Sequence, residues 1–431
     1  MINISFTSKP FIVFSIFFVL LGSVIGSIWM MNIYGFNLFK NESKIFPLHK
    51  ITLIDGFLTL IIIGVGFMII PRFRNIPNPT LKTGYAILVL IISTIILSII
   101  SQPSKDSESN IILFSLELPY LTILLPKFIG VSIFVVKIIL MLRIKPKLLV
   151  LSDYFIFIAI LILFLQNIID LYLQDKISYS IIYFQFWFLF PIIMIFGIEY
   201  KTMPSFLGYI RPRKKTAVLS LLSSIIGATS GFLYLLGMEF VYLEYLFETT
   251  LVFSSTTFII SNFIFGGFDF GKIIQFTKNE NRLRYLYIQL HIVISFLFLL
   301  SGIVSSICYY IFPNSDLIFL FYDMSIHFIS IGFIGITILL YLPLMLPPIL
   351  GKMIQISYFS FIPLCFVITS LVLRVVGDLL ISIKYVSFKT EIQNDVMFSL
   401  FGFSGWLIVF AVISFLLITR KSIINSTSKD G

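Results

Sequence analysis

Long runs of aliphatic and aromatic residues recur along this chain, and each is close to the roughly 20 residues that a helix needs to cross a bilayer. They fall at about 11–33, 48–70, 84–101, 118–142, 151–173, 178–199, 216–238, 245–267, 285–312, 317–346, 354–380 and 396–419. The stretches between them are too short to hold a separate folded domain. Hydrocarbon offers the backbone no water to bond with, so such segments satisfy their own N–H and C=O groups as helices. Charged residues make up 12% of the chain, about half the ~25% usual in soluble domains. The expected fold is therefore all-α: a polytopic integral membrane bundle of about twelve transmembrane helices. It forms one domain over residues 1–431, with short tails at 1–10 and 420–431.

Charge orients the spans. Basic residues gather after the even-numbered runs: Arg72, Arg74 and Lys82; Arg143, Lys145 and Lys147; Lys201, Arg211, Arg213, Lys214 and Lys215; Lys272, Lys278, Arg282 and Arg284; and Arg420 with Lys421. Loops on the other side are mixed or acidic, as in Lys105-Asp106-Ser107-Glu108 and the stretch from Glu239 to Glu248. Lys40, Lys44 and Lys50 run against the pattern and are partly offset by Glu42. The positive-inside rule then puts both termini in the cytoplasm of a cell-membrane protein. Lys9 ahead of the run Phe11–Met31 reads as the start of a first span rather than a cleavable leader. The formal charge of +10 is spread over these short loops, which argues for topology signals and against nucleic acid as a partner. Cys308 and Cys365 lie in apolar runs with no Cys/His spacing, so neither a disulfide framework nor a zinc site is supported.

Only three histidines occur, His49, His291 and His327. A polar ring in hydrocarbon needs a partner, so each marks a candidate site. By span parity, His49 opens span two near the outer face. His327 lies about ten residues into span ten, in the outer half or near mid-membrane. His291 starts span nine near the cytoplasmic face, most of a bilayer from His49 at 1.5 Å per residue, and reads as structural. His49 and His327 can share one metal if the second helix begins a turn or so before Pro47.

The run His49-Lys50-Ile51-Thr52-Leu53-Ile54-Asp55-Gly56-Phe57, followed by Gly64-Val65-Gly66-Phe67 and Pro71-Arg72-Phe73, resembles the second span of the NnrS family and, more distantly, that of heme-copper oxidase subunit I. His327 with Gly332 and Gly335 is similar to the His-x-x-x-x-Gly-x-x-Gly helix of both groups, and Lys201-Thr202-Met203-Pro204-Ser205-Phe206 resembles an NnrS segment after span six. The resemblance implies an oxidase-subunit-I-like bundle and one b-type heme per chain, with His49 and His327 as its two iron ligands. It also implies a part in nitric oxide metabolism or tolerance through redox or ligand sensing, with lipid, nitric oxide and a redox partner or respiratory subunit as partners. Ser325 stands where the oxidases have the high-spin heme ligand, and the histidines of a copper site are missing from spans six and seven. A copper-dependent reductase is therefore not expected, although Met and Cys ligands in spans nine to eleven stay open.

Heme propionates call for cations. Arg374 in span eleven can clamp them or pair with Asp378 one turn on; Asp323, one turn before His327, can orient that ring or bond a propionate. Lys127, Lys137, Asp55 and Asp170 mark either a proton path or mutual ion pairs. Gly22 and Gly26 form a small-xxx-small pair suited to close helix packing. Nucleotide-binding and hydrolase fingerprints are absent. Two other functions fit the same composition: a twelve-span secondary transporter without cofactor, and a non-catalytic oxidase-like scaffold subunit. The topology is open to a direct check: green fluorescent protein fused to the C-terminus should fluoresce, and alkaline phosphatase fused there should be inactive. The reverse pattern would invert the layout.

Overall fold

A computed structural model describes residues 7–36, 45–101, 120–143, 149–173, 180–206, 209–238, 240, 242–266, 279–350, 356–387 and 401–427. The acidic loop Lys105–Glu108, the basic residues Lys145, Lys147, Lys272 and Lys278, the Lys40–Lys44 stretch, Glu239 and the ends of both tails lie outside the described residues. The described chain is helical, without strands. Its long helical runs are α1 (Lys9–Met31), α2 (Ile45–Arg74), α3 (Leu81–Ile100), α4 (Tyr120–Arg143), α5 (Leu151–Leu173), α6 (Ile181–Phe206), α7 (Lys214–Leu235), α8 (Tyr242–Asn262), α9 (Asn279–Ile311), α10 (318–350), α11 (Ile362–Ser387) and α12 (Ser404–Thr427). Ten of them are long and apolar enough to cross a membrane. This is a multi-pass membrane protein. The helix α8 falls short of that measure because hydroxyl side chains and Glu244 and Glu248 dilute its hydropathy; the apolar part of α12, Ser404–Arg420, is short.

Two helices change pitch midway. In α2, an α-helical turn Ile45–Ile51 gives way to a π-helical segment, Thr52–Thr59, before α-helix resumes. In α10, the π-helical segment is Phe328–Gly335. A third π-helical turn, Asn32–Phe36, follows α1. The second helix starts at Ile45 and so includes Pro47 in its first turn, where the missing N–H breaks no helical bond.

The chain groups into two compact units, one of Met1–Trp29, Leu38–Leu148 and Ile160–Ser178, the other of Met30–Asn37, Leu149–Ala159 and Tyr179–Gly431. In the first unit, α2 is the most enclosed helix, with 83% of its apolar window buried. Edge-on phenylalanine contacts tie its flanks, Phe11 to Phe67 at 5.9 Å and Phe67 to Phe134 at 5.1 Å. Its polar centre is an ion triad: Lys127 Nζ donates to Asp55 Oδ1 at 3.0 Å and to Asp170 Oδ2 at 2.9 Å. Gln166 Nε2 donates to the remaining Asp170 oxygen at 3.2 Å. Pro126 opens the helical ladder of α4 at this point, and the Lys127 N–H donates instead to Thr94 Oγ1 on α3 at 2.8 Å. At the end of α2, Arg74 donates to the last-turn carbonyl of Leu142 at 2.9 Å, the favoured place for a cation.

In the second unit α6 is the central helix, buried along almost all of its apolar length. Phe196 on α6 stacks on Phe258 of α8 at 4.0 Å, and Phe296 of α9 and Phe333 of α10 extend the same cluster. The pair α7 and α8 is joined differently, through a seam of small residues. Ser220 donates to the Ser254 carbonyl at 2.8 Å, Ser223 to that of Thr250 at 2.8 Å, and Ser224 meets the Ser254 hydroxyl at 2.6 Å. Small residues let backbones approach where lipid supplies no hydrophobic drive between helices.

The triad makes a quantitative expectation. Lys127→Met leaves two carboxylates without their shared cation, which costs about 3–5 kcal/mol when a buried pair loses one partner. Thermal unfolding of the purified protein in detergent should shift down by several degrees, and an unchanged midpoint would show that the triad is not a stabilising element.

Candidate functional site

His327 ends the α-helical start of α10 and directly precedes its π-helical segment. Its Nδ1 lies 3.0 Å from the Asp323 carbonyl and 3.1 Å from Asp323 Oδ1. Both are acceptors, so Nδ1 carries a proton and Nε2 is the ring nitrogen left for another partner. Asp323 is held in turn by Arg374 of α11, whose Nε and Nη2 donate to its two oxygens, the Nη2 bond at 2.7 Å. This fork-on-carboxylate geometry is the strongest and most directional ion pair available to proteins. Arg374 therefore pairs across helices with Asp323 and not with Asp378 on its own helix. Asp378 accepts a hydrogen bond from the Tyr34 hydroxyl at 2.6 Å, while its Oδ2 has no partner among the described residues.

Close packing supports this chain of contacts. A Cβ on Gly377 would lie 2.6 Å from Tyr34 Oη, so only glycine lets the tyrosine reach Asp378. Trp406 on α12 donates to Met31 Sδ at 3.1 Å beside it. Gly332 admits a neighbouring helix: a Cβ there would lie 2.6 Å from Phe298, whose ring fills the space.

His49 lies in the first unit. Its Nδ1 donates to the Gly22 carbonyl of α1 at 2.9 Å, and its ring centre is 6.0 Å from that of Trp29. A Cβ on Gly26 would overlap the imidazole, and one on Gly22 would lie 2.8 Å from Thr52 Oγ1. The small-xxx-small pair of α1 thus accommodates the start of α2 and its histidine. Here too Nδ1 bears the proton, and a π-helical segment begins three residues later. His291 is buried, bonds the Tyr287 carbonyl at 2.7 Å and packs on the Tyr287 ring at 4.0 Å, with no carboxylate beside it among the described residues. The structure thus joins three of the expected site residues, Asp323, His327 and Arg374, within one unit and describes His49 in the other. Tyr34 and Asp378 complete the network; the hydroxyl of Tyr34, 344 positions away, carries no signal of this pairing in the sequence. Comparison with protein-family models and with curated proteins returns no match to this chain.

The Asp323–Arg374 pair is testable as a thermodynamic cycle. Either Asp323→Asn or Arg374→Gln alone should lower stability by about 3–5 kcal/mol, because each strands a buried charge. The double variant should lose about 1–3 kcal/mol less than the sum of the two single losses, the coupling expected of residues in direct contact. Additive single effects in detergent unfolding curves would contradict the pairing.

Proposed function

We propose that this chain is a heme-binding integral membrane protein of the NnrS type, in which His49 and His327 would hold one b-type heme, with a part in nitric oxide metabolism or tolerance. The observation that carries the reading is the setting of His327. A ring whose Nδ1–H is held by a carboxylate, itself locked by an arginine, offers Nε2 in a fixed direction, the outer arrangement characteristic of metal-ligating histidine. His49 comes to the reading through the family resemblance and through the same tautomer, set by the Gly22 carbonyl. Asp323 then serves as the residue that orients His327, and Arg374 as the residue that holds Asp323. Two carboxyl groups, Asp323 and Asp378, stand against one guanidinium, and a cationic centre at His327 would offset the excess. When bound, such a heme would supply one-electron redox chemistry or a place for a gaseous ligand.

The finer architecture belongs to the same proposal: twelve spans in an oxidase-subunit-I-like bundle, both termini on the cytoplasmic side of the cell membrane. It is supported by α8 and α12, which coincide with the remaining apolar runs, and by the basic loops. A second reading, a cofactor-free transporter, draws on the buried Lys127–Asp55–Asp170 triad, since intramembrane charges often mark ion pathways.

A reduced-minus-oxidised optical spectrum of the detergent-purified protein separates the two. The heme reading expects sharp low-spin b-type bands at one heme per chain, lost in His49→Ala and in His327→Ala and kept in His291→Ala. Equal heme occupancy in all three variants would sink the ligand assignment. The absence of a Soret band even after hemin is supplied during expression would leave the transporter or scaffold reading.

A further inference from the structure

Two glutamates are buried in the second unit, and their surroundings differ. Glu248 on α8 accepts from the Ser306 hydroxyl at 2.8 Å, and the Gln185 amide, turned so that its nitrogen faces the carboxylate, donates to Glu248 Oε2 at 3.2 Å. Glu199 on α6 is fully buried, and both of its carboxyl oxygens lack any hydrogen-bond partner among the described residues. No lysine, arginine or histidine forms an ion pair with it among those residues. A lone carboxylate held out of water costs several kcal/mol unless something positive neutralises it. The chain has nevertheless kept the carboxyl here, in the most enclosed of its helices.

The elements near it bring hydroxyl groups. Thr202 lies three residues along the same helical face, and its Oγ1 is 3.0 Å from the Tyr341 hydroxyl of α10. Thr337, one turn before Tyr341, is buried with its hydroxyl unpartnered among the described residues. Tyr209 follows the end of α6 and folds back over it, its N–H donating to the Met203 carbonyl at 3.0 Å. The Tyr209 phenol is likewise buried and unpartnered among the described residues, and both it and the Tyr341 phenol sit close enough to Glu199 to interact with its charge. Those two phenols are the titratable groups that face Glu199 from the elements packed around it among the described residues. Tyr341 is fourteen residues beyond His327, some 21 Å along α10 at 1.5 Å per residue, so this cluster is distinct from the histidine network.

We propose that Glu199, with the hydroxyls of Thr202, Tyr209, Thr337 and Tyr341, forms a site for one hard monovalent cation, a proton or sodium. Three features select that class. The donors are all oxygen, which suits hard cations and excludes soft metals. The site brings a single carboxylate, which one positive charge neutralises and two would leave in excess. Three of its polar groups are buried with no other partner among the described residues, a state that native structures rarely leave without a ligand to explain it.

Dicyclohexylcarbodiimide, an apolar reagent that adds to protonated carboxyl groups in membranes, reads the occupancy directly. The full-length protein in liposomes is treated over about pH 5.5 to 9, and the Glu199-containing peptide is quantified by mass spectrometry; above the midpoint, labelling should fall about tenfold per pH unit as the proton leaves. The series is repeated with sodium chloride and with choline chloride at equal ionic strength. A fall with pH plus protection by sodium identifies sodium as a competing occupant, and a fall without protection identifies the proton alone; both uphold the site. Labelling that stays constant across the range, or no label on Glu199 at any pH, overturns it. Tyr209→Phe removes one hydroxyl and keeps the ring, so it should shift the labelling midpoint while leaving thermal stability close to that of the parent. Glu199→Gln should lose this label and serves to assign the peptide.

Discussion

Hydrocarbon offers no hydrogen bond and almost no screening, so each polar group carried into it must be answered by another part of the same chain. That demand organises both units. In the first, one ammonium at Lys127 answers carboxylates from α2 and α5, and the three helices are thereby set in rotation about their axes as well as in depth. In the second, Arg374 answers Asp323 across α10 and α11, and the Asp323 carboxylate in turn fixes the His327 ring. Apolar side chains could tolerate many rotational settings of these helices; a stranded charge, at several kcal/mol, tolerates one. Hydroxyl residues impose less, because they bond back to carbonyls of their own helix, as Thr52 does to Leu48 and Ser330 to Ile326.

The π-helical segments act on the same geometry. Such segments carry an extra residue per turn and concentrate where function requires a side chain to leave the regular spacing. One begins three residues after His49 and another immediately after His327. Six residues separate His49 from Asp55, which in a regular α-helix sets them on different faces. Most of that interval is π-helical here, and Asp55 is turned to Lys127 while His49 is turned to α1. The histidine and the charged triad thus occupy one helix without competing for the same neighbours.

The apolar runs were legible in the sequence with uneven bounds: the expected span 151–173 is the helix Leu151–Leu173 and 11–33 is Lys9–Met31 with its π-helical extension, but the expected 178–199 runs on to Phe206. The triad was legible as a list of charges needing partners, though not as a triad. Arg374 shows where one-dimensional reading misleads. Asp378 is one turn away on its own helix and looks like the natural partner, yet Arg374 reaches Asp323. A matching of span positions would have found it, since Asp323 lies six residues into the expected span 317–346 and Arg374 six residues before the end of 354–380. Glu199 was passed over because it falls at the expected end of its span, where a carboxyl reads as a boundary residue.

The sequence by itself determined that this chain is a set of apolar helices and approximately where along the chain each of them lies. These quantities follow from composition along a helix axis, and hydrophobic transfer depends on that alone. The tertiary structure decided which face of each helix turns inward, and so which carboxylate Arg374 holds, which carbonyl takes the His49 proton, and that Glu199 is buried with no hydrogen-bond partner among the described residues. Rotation about the axis is settled collectively, by close packing at residues such as Gly26 and Gly377 and by charges that must find one another across helices.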